Sequence, residues 1–413
     1  MATTAVEMDK TRLWDSITEL GEIGDVGDGA MMRVTGSEAD QRARDLVVSW
    51  FEAAGLDVRV DPVGNIFGRW QGRNDRAPVV TGSHVDTVPH GGKFDGTAGV
   101  LTALEAIRAW NHAGIETERP IEIVVFTEEE GTRFGTGVLG SLVATGQLSV
   151  EEALRMEDDD GHTVEEVLAD IGYAGNDEFD IGEAAAFVEL HVEQGPNLET
   201  TGHDIGIVET ITGISHSRVT FTGEANHAGT TPMSLRRDAF MGAAEFSLEL
   251  ESEARDHATE TAAVGTVGKV EVSPNGTNVV PGKVELGVDI RDTNEESRQA
   301  LVEGAKQCGR DIAAERDLEV QWEELLDVPA TPMDDGIVAD LEAACEAAEV
   351  EAMRMPSGAG HDAMNVARVA PTGMLFVPSE DGISHSPAEY TSPEELAAGA
   401  RVLERGLRML ADT

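Results

Sequence analysis

The sequence predicts an α/β domain interrupted by a smaller α+β domain. Three observations carry this. Apolar strand-like runs alternate with helical stretches through the first part of the chain, the pattern of a sheet with helices packed on its faces. Beyond residue 210 the order becomes strand, helix, strand, strand, helix, strand. After that block the mixed helix and strand pattern resumes.

The elements follow in order. Residues 37–54 space Ala43, Leu46, Val47 and Trp50 as one face of a helix, and 57–62 is strand-like. A short apolar run at 78–81 leads into a glycine-rich loop, then a helix at 98–110 and a strand at 121–127. Residues 184–192 add another strand to the same sheet. In the second block 217–222 alternates as a strand, 232–255 reads as a long helix opened by proline, and 262–272 is a second strand. Residues 283–291 alternate as a third strand, 295–315 form a second helix and 318–324 a last strand. This βαββαβ order is the ferredoxin-like split motif and occupies residues 211–326. A helix at 335–348, a strand at 372–377 and a helix at 393–410 return to the first domain. The expected division is therefore 1–210 with 327–413, and 211–326 as the insertion; a length of 413 residues suits two domains. The acidic run at 157–160 reads as a solvated surface loop.

Composition excludes several classes of function. The chain carries 78 acidic and 30 basic side chains, a net charge of −48, with no local basic patch. Nucleic acid and anionic membrane surfaces are poor partners for such a surface. Lysines number only five, and self-repulsion on this scale is screened well only at high ionic strength, where the Debye length falls to ~3 Å at 1 M. The balance points to a protein built for a salt-rich cytoplasm. Cys308 and Cys345 lie far apart, which is no disulfide framework and fits a reducing compartment. Residues 1–15 lack the basic and apolar regions of a secretory signal, and no apolar run is long enough to span a bilayer. The expectation is a soluble cytoplasmic protein.

The residues able to do chemistry gather at predicted strand ends. His84 ends an apolar strand in Gly82-Ser83-His84-Val85-Asp86, with Asp95 beyond it in Gly91-Gly92-Lys93-Phe94-Asp95-Gly96. Open α/β sheets bind ligands at the carboxyl ends of their strands. Asp86 is placed to take the other ring N–H of His84 and fix its tautomer. Glu128-Glu129-Glu130 follows the strand at 121–127; His191 and Glu193 end the strand at 184–192; His385 follows the strand at 372–377. Taken singly, each has an ordinary structural explanation: a His–Asp pair, a solvated acidic edge, a core histidine. Together, His84 with Asp95, Glu130, His191 and His385 form a mixed imidazole and carboxylate set without thiolate. Such a set suits zinc, with manganese, cobalt or nickel as alternatives. Five ligands are too many for one tetrahedral ion and fit two that share a carboxylate. An unligated carboxylate beside them can serve as general base.

At this point the sequence resembles a known family. It is similar to the dinuclear zinc amidohydrolases of the carboxypeptidase and aminoacylase superfamily, in the branch of N-carbamoyl-L-amino acid hydrolases, allantoate amidohydrolases and β-ureidopropionases. Besides the motifs above, the likeness rests on Glu128-Glu129-Glu130-Gly131-Thr132-Arg133-Phe134 and Glu189-Leu190-His191-Val192-Glu193-Gln194-Gly195-Pro196. It continues through Asn226-His227-Ala228-Gly229-Thr230-Thr231-Pro232-Met233, Asn278-Val279-Val280-Pro281 and Asp289-Ile290-Arg291. It closes with Ser357-Gly358-Ala359-Gly360-His361-Asp362-Ala363 and Gly382-Ile383-Ser384-His385. The resemblance implies a zinc-peptidase-like catalytic domain with a ferredoxin-like lid and dimerisation domain. It implies that His84 and His191 bind one metal, Glu130 and His385 the other, and that Asp95 bridges them. Glu129 would take a proton from the bridging water and pass it to the leaving nitrogen. Asn278 and Arg291 would grip a substrate carboxylate, for which the planar arginine fork is suited. His227 would stabilise the oxyanion from the partner subunit of a homodimer, and Gln194 and Gly360 would complete the pocket for a small ureido substrate. Between Gly213 and Val219 the chain reads Ile-Ser-His-Ser-Arg, where the family implies a bulkier or aromatic residue at one of these positions, and His216 would alter the pocket. For His361 a supporting or packing role is expected ahead of ligation.

Other classes are weaker. Gly135-Thr136-Gly137-Val138-Leu139-Gly140 matches a dinucleotide-binding glycine pattern, but residues 128–134 separate it from the strand it should follow. No Gly-x-Ser-x-Gly elbow occurs. A non-catalytic metal-binding protein would be favoured by loss of the base or a ligand, and all are present. Within hydrolases, an aminoacylase or peptidase remains the alternative.

Overall fold

The computed structural model describes residues 6–259 and 262–413. The chain forms two compact units, one of Met1–Glu209 with Pro332–Thr413 and the other of Thr210–Thr331. In chain order the strands are β1 (Asp57–Val60), β2 (Ile66–Trp70), β3 (Val79–His84), β4 (Ile121–Phe126), β5 (Ala186–Val192), β6 (Ile205–Ile211), β7 (Gly213–Thr222), β8 (Asn226–His227), β9 (Val264–Ser273), β10 (Val279–Val280), β11 (Lys283–Asp292), β12 (Glu319–Val328), β13 (Thr331–Pro332), β14 (Ala352–Ser357) and β15 (Thr372–Val377).

The larger unit is built on a mixed sheet in the order β1-β2-β4-β3-β5-β15-β6-β13, with β14 also paired to β6. Its centre is parallel: β3 pairs β4 and β5, and β15 pairs β5, all in the same direction. Every residue of β3, β4, β5 and β15 is buried. That is why these segments read as unbroken apolar runs and not as alternating ones: a parallel sheet is covered on both faces. The cover includes the helices Thr97–Ala113 and Pro393–Ala411, which pack on each other and are joined by a bond from Trp110 Nε1 to Glu404 Oε1 at 2.7 Å. The chain leaves β3 for β4 on one side and returns to β5 on the other. This reversal opens a crevice beyond the carboxyl ends of β3 and β5.

Local signals explain the helix boundaries. Ser37 accepts from Asp40 N at the start of Glu38–Ala53. Ser392 forms a reciprocal capping box with Glu395, and Pro393 opens the last helix. Elements the sequence reading passed over include the amphipathic helix Lys10–Gly21, the edge-side strand β2, β6 and β14.

The smaller unit contains a four-stranded antiparallel sheet, β12-β7-β11-β9, with the helices Ala239–His257 and Glu295–Glu315. One core joins Phe221, Val284 and Leu286 of the sheet to Phe246, Leu250, Leu301 and Ile312 of both helices. Buried and less buried residues alternate along β11, as a one-face sheet requires. Its first helix begins later than proline suggested. The segment from Pro232 to Asp238 is not α-helical, because Asp238 is the true cap and accepts from Phe240 N and Met241 N. Arg236 meanwhile bonds the carbonyls of Ala228 and Thr231 and holds that segment as a loop.

Among the described residues no helix is long and apolar enough to cross a membrane. Within the acidic run at 157–160, Asp158 is not simply solvated. Its carboxylate accepts from Arg133 Nε at 3.0 Å, and Glu157 bridges Thr163.

Candidate metal centre

Four chain segments deliver polar side chains to the carboxyl ends of the central strands. His84 is the last residue of β3, His191 lies at the end of β5, and Glu129 and Glu130 follow β4. Asp95 lies in the loop before the helix Thr97–Ala113, and His385 lies in the loop after β15. Asp95 is at the centre. Its Oδ1 faces His191 Nε2 at 3.1 Å and His84 Nε2 at 3.3 Å; its Oδ2 faces His385 Nε2 at 3.5 Å. Glu130 Oε2 lies 3.3 Å from His385 Nε2, and Glu129 Oε2 lies 3.5 Å from His84 Nε2. Among the described residues the donor atoms thus form four groups of possible ligands: His84, Asp95 and His191; Asp95, Glu130 and His385; His84, Glu129 and Glu130; and, behind these, Glu189, His191 and His361.

The ring nitrogens that face away from the centre are held by backbone. His84 Nδ1 lies 3.1 Å from the carbonyl of Asp86, and His191 Nδ1 lies 3.0 Å from that of Val192. A carbonyl can only accept, so each Nδ1 carries a proton and each Nε2 is the nitrogen that faces the centre and could give its lone pair to an ion. The Asp86 carboxylate, expected to hold the ring, lies 3.5 Å from the same Nδ1, a little farther than its own carbonyl, and does further work besides. It receives Glu130 N at 3.2 Å and Glu129 N at 3.4 Å, and so fixes the backbone that presents both glutamates. Glu128 leaves the run at φ 55°. Its Oε1 accepts from Arg133 N and Phe134 N at 2.7 and 2.9 Å.

The electrostatics suit a cation. Burial raises Glu129 well above the ordinary carboxylate range, with Glu130, Asp362 and Asp95 adding to it and His84 opposing. Burial and then Asp95 push Glu130 up to about 8. Burial alone would lower the imidazoles, but Glu129, Asp86 and Asp95 raise His84, and Asp95 foremost raises His191 to about 9. Asp95 goes the other way: burial would raise it, yet His191 and His84 hold it well below its usual value. The pocket concentrates more negative charge than its own imidazoles neutralise, and protons fill the gap where a divalent ion could. His84 Nε2 is buried without a hydrogen-bond partner and is aimed at two carboxylates. An orphaned buried nitrogen beside carboxylates, in a set without thiolate, fits a metal ion of the zinc or manganese kind.

Gln194 also reaches this centre, donating from Nε2 to Asp95 Oδ2 at 2.9 Å. Gly360 immediately precedes His361, whose ring stands edge-on to His191 at 4.5 Å. His361 Nε2 lies 3.0 Å from Ser357 Oγ, and burial and then the His191 charge hold His361 well below the usual imidazole value. His361 is thus a buried imidazole that stands against the ring of His191 and meets a serine at Nε2.

His227, Asn278 and Arg291 belong to the smaller unit. The two-stranded ribbon of β8 and β10 brings the first two together: His227 pairs with Val279, and Ala228 N donates to the Asn278 carbonyl at 2.9 Å. His227 Nδ1 accepts from Gly229 N and Thr230 N at 3.0 and 3.2 Å. The ring proton therefore sits on Nε2 of an exposed imidazole, which is the tautomer that can donate to an oxyanion. On β11, Arg291 Nε and Nη2 bond Asp289 at 3.0 and 2.9 Å, and His216 Nε2 lies 2.9 Å from the same carboxylate.

Several residues at the centre had no role assigned in the sequence reading. Glu189 accepts from Ser83 Oγ and Ala363 N at 2.7 and 2.9 Å behind the ring of His191. Ser384 and Glu389 bond around Asp95. The signal for Glu389 was a lone acidic residue shortly after the loop histidine in Ser384-His385-Ser386-Pro387-Ala388-Glu389.

A doubly covered sheet with imidazoles and carboxylates at its strand ends defines a metal-dependent hydrolase. The sequence pattern of peptidase family M20/M25/M40 matches residues 80–408, and the chain belongs to that family. It is 41% identical to an N-carbamoyl-L-amino acid amidohydrolase of Geobacillus stearothermophilus, over 97% of this chain and 98% of that one. It is 38% identical to a ureidoglycolate hydrolase of Arabidopsis thaliana, over 99% of this chain and 88% of the relative. Among solved structures, an amidase of the hydantoinase/carbamoylase family from Burkholderia multivorans superimposes with a TM-score of 0.94 at 42% identity, covering 99% of each chain. The chain is an amidohydrolase of this branch, as its motifs implied.

Proposed function

We propose that this chain hydrolyses the ureido C–N bond of N-carbamoyl-L-amino acids, consuming water and releasing ammonia, carbon dioxide and the amino acid. The observation that carries the reading is the division of donors about Asp95. One of its oxygens faces His84 and His191 and the other faces His385, which is paired with Glu130. That division supports two ions, zinc by donor chemistry, with Asp95 between them. Such ions supply a polarised carbonyl and a water acidic enough to attack at neutral pH.

The chain's own residues do the remainder. Glu129, outside the groups centred on Asp95 and raised by burial, accepts the proton of the attacking water and returns it to the departing nitrogen. His227, with its proton on Nε2, donates to the carbonyl oxygen as charge develops there. We infer that a second copy of the chain in a homodimer supplies it, since it lies exposed on a two-residue strand. Arg291 and Asn278 bind the substrate carboxylate; Asp289 fixes one edge of the arginine fork so that its plane is set before substrate arrives. Gln194 and Gly360 complete the pocket. Domains 1–210 with 327–413 supply the metals and base, and 211–326 acts as lid and dimerisation domain, in a salt-rich cytoplasm.

The test is ammonia release in concentrated KCl with divalent metal, using N-carbamoyl-L-amino acids, N-carbamoyl-β-alanine, ureidoglycolate and allantoate. N-acetyl amino acids and dipeptides are followed by amine release. Turnover of N-carbamoyl-L-amino acids, abolished by chelator and restored by zinc, is the expected result. Preference for ureidoglycolate or allantoate moves the substrate within the ureido class, and cleavage of only acetyl or peptide bonds refutes it.

A further inference from the structure

We propose that Glu389 is a positioning residue that holds the Asp95 loop and the His385 loop at one fixed spacing, and so sets the gap in which the ion of Asp95, Glu130 and His385 is held. The inference rests on the two-ion reading above. Glu389 is 4% exposed, and its carboxylate is the meeting point of both loops. Its Oε1 accepts two backbone N–H groups, from Phe94 at 2.8 Å and from Asp95 itself at 3.0 Å. Its Oε2 faces Ser384 Oγ at 3.0 Å. Ser384 is the neighbour of His385 in sequence, and the same hydroxyl lies 2.7 Å from Asp95 Oδ2. One carboxylate thereby grips the main chain of one donor, and through one hydroxyl it joins that donor's side chain to the segment carrying the other.

The approach is close enough to dictate a neighbouring residue. A Cβ on Gly92 would lie 2.3 Å from Glu389 Oε1, so the glycine in Gly91-Gly92-Lys93 leaves room for this carboxylate. Glu389 is held in turn by its own turn, donating its N–H to the Ser386 carbonyl at 3.0 Å. His385, by contrast, is the donor least secured by burial: its side chain is 48% exposed and its φ is 55°. A donor on an exposed, left-handed loop residue needs an external tie to stay in register, and Glu389 with Ser384 supplies it.

The test is metal affinity, measured by competition with a chromophoric chelator and by the visible spectrum of added Co2+. The wild type is expected to bind two equivalents. Glu389→Ala should keep one near wild-type affinity and weaken the other by about 10–100-fold, the usual effect of losing a residue that supports a ligand. Excess metal should then restore kcat with KM unchanged. Glu389→Gln keeps one oxygen for both N–H groups and turns an amide N–H toward Ser384 Oγ, so it should recover most of the affinity. Ser384→Ala, which leaves the backbone grip intact, should weaken the same equivalent less, and it carries the test if Glu389→Ala does not fold. Two equivalents of wild-type affinity in Glu389→Ala, or Glu389→Gln no better than alanine, overturns the proposal. A wild type that binds one equivalent overturns the two-ion reading instead, and the tie then stands only if Glu389→Ala weakens that equivalent.

Discussion

Gly96 and Gly114 bracket the same helix, Thr97–Ala113, at its two ends, with φ of 61° and 65°. Replacing either by alanine forces an L side chain into the left-handed region, at about 1–2 kcal/mol, while the stiffer unfolded chain returns about 0.4–1 kcal/mol. Gly114→Ala meets nothing within 4 Å, so its net effect should be a destabilisation of about 0–1.5 kcal/mol. Gly96→Ala differs in two respects: its ψ of −50° lies outside the αL well that Gly114 occupies, and its methyl would lie 2.4 Å from His84 Nε2 and 2.5 Å from two ring carbons. That ring is fully buried and cannot retreat without breaking its contact with the Asp86 carbonyl. Overpacking adds about 1–3 kcal/mol and moves a donor nitrogen off its lone-pair direction. Urea unfolding of metal-free protein gives the stability difference between the two variants, and metal content after dialysis gives the functional one. Gly114→Ala should retain its metal; Gly96→Ala should be the less stable by about 1–3 kcal/mol and lose metal. Equal stabilities with full metal in both would refute the geometry assigned to His84.

Further outcomes follow from the same structure. Glu129→Gln should keep its metal and lose about 10²–10⁴-fold in kcat, since only proton transfer is removed; near-normal turnover would dismiss Glu129 as the base. Arg291→Lys should raise KM about 10-fold or more with little change in kcat, because Lys cannot meet Asp289 and a carboxylate in one plane; an unchanged KM would remove Arg291 from the carboxylate site. Asp61, buried, has its carboxyl raised to about 6 by burial, against bonds from Asn65 and Val63. The folded chain therefore keeps a proton there that the unfolded chain, with a pKa near ~3.9, has released. Its contribution favours folding below about pH 4 and is lost as pH rises through about 6, by up to about 3 kcal/mol. Urea midpoints at pH 4.5 and pH 7 should differ less in Asp61→Asn than in wild type, and equal differences would contradict the shift.

Where a segment's own chemistry decides its structure, the sequence was enough. The helices Glu295–Glu315 and Asp335–Ala348 stand where their caps Asn294 and Asp334 put them, and β15 ends where its apolar run ends. Where two signals compete, the sequence misleads: Pro232 can start a helix, but the chain between it and Asp238 is claimed by Arg236. Donor residue types at strand ends were visible because the crevice is a property of topology. Invisible were the groups that hold those donors through backbone atoms. The Asp86 carbonyl on His84, and Glu389 on the N–H groups of Phe94 and Asp95, depend on loop shapes that no residue pattern spells out. Reading Asp86 as the ring's partner named the right residue and one of its two acceptors: the carboxylate lies 3.5 Å from His84 Nδ1, but the nearer carbonyl, at 3.1 Å, is an atom that every residue carries.

The order of the strands has a consequence for how the molecule is made. Three of the donor segments, carrying His84 and Asp95, Glu129 and Glu130, and His191, are synthesised in succession. The fourth, carrying His385, leaves the ribosome only after the whole of Thr210–Thr331 has been made. β15, which brings it, must then insert beside β5, a strand that has waited exposed on one edge. Until that insertion the nascent chain can offer an ion His84, Asp95 and His191 but not the His385 side of the centre. On the proposed two-ion reading, full metal loading would mark a finished chain, and a molecule that stalls before its last sheet position is filled would stay both inactive and open-edged.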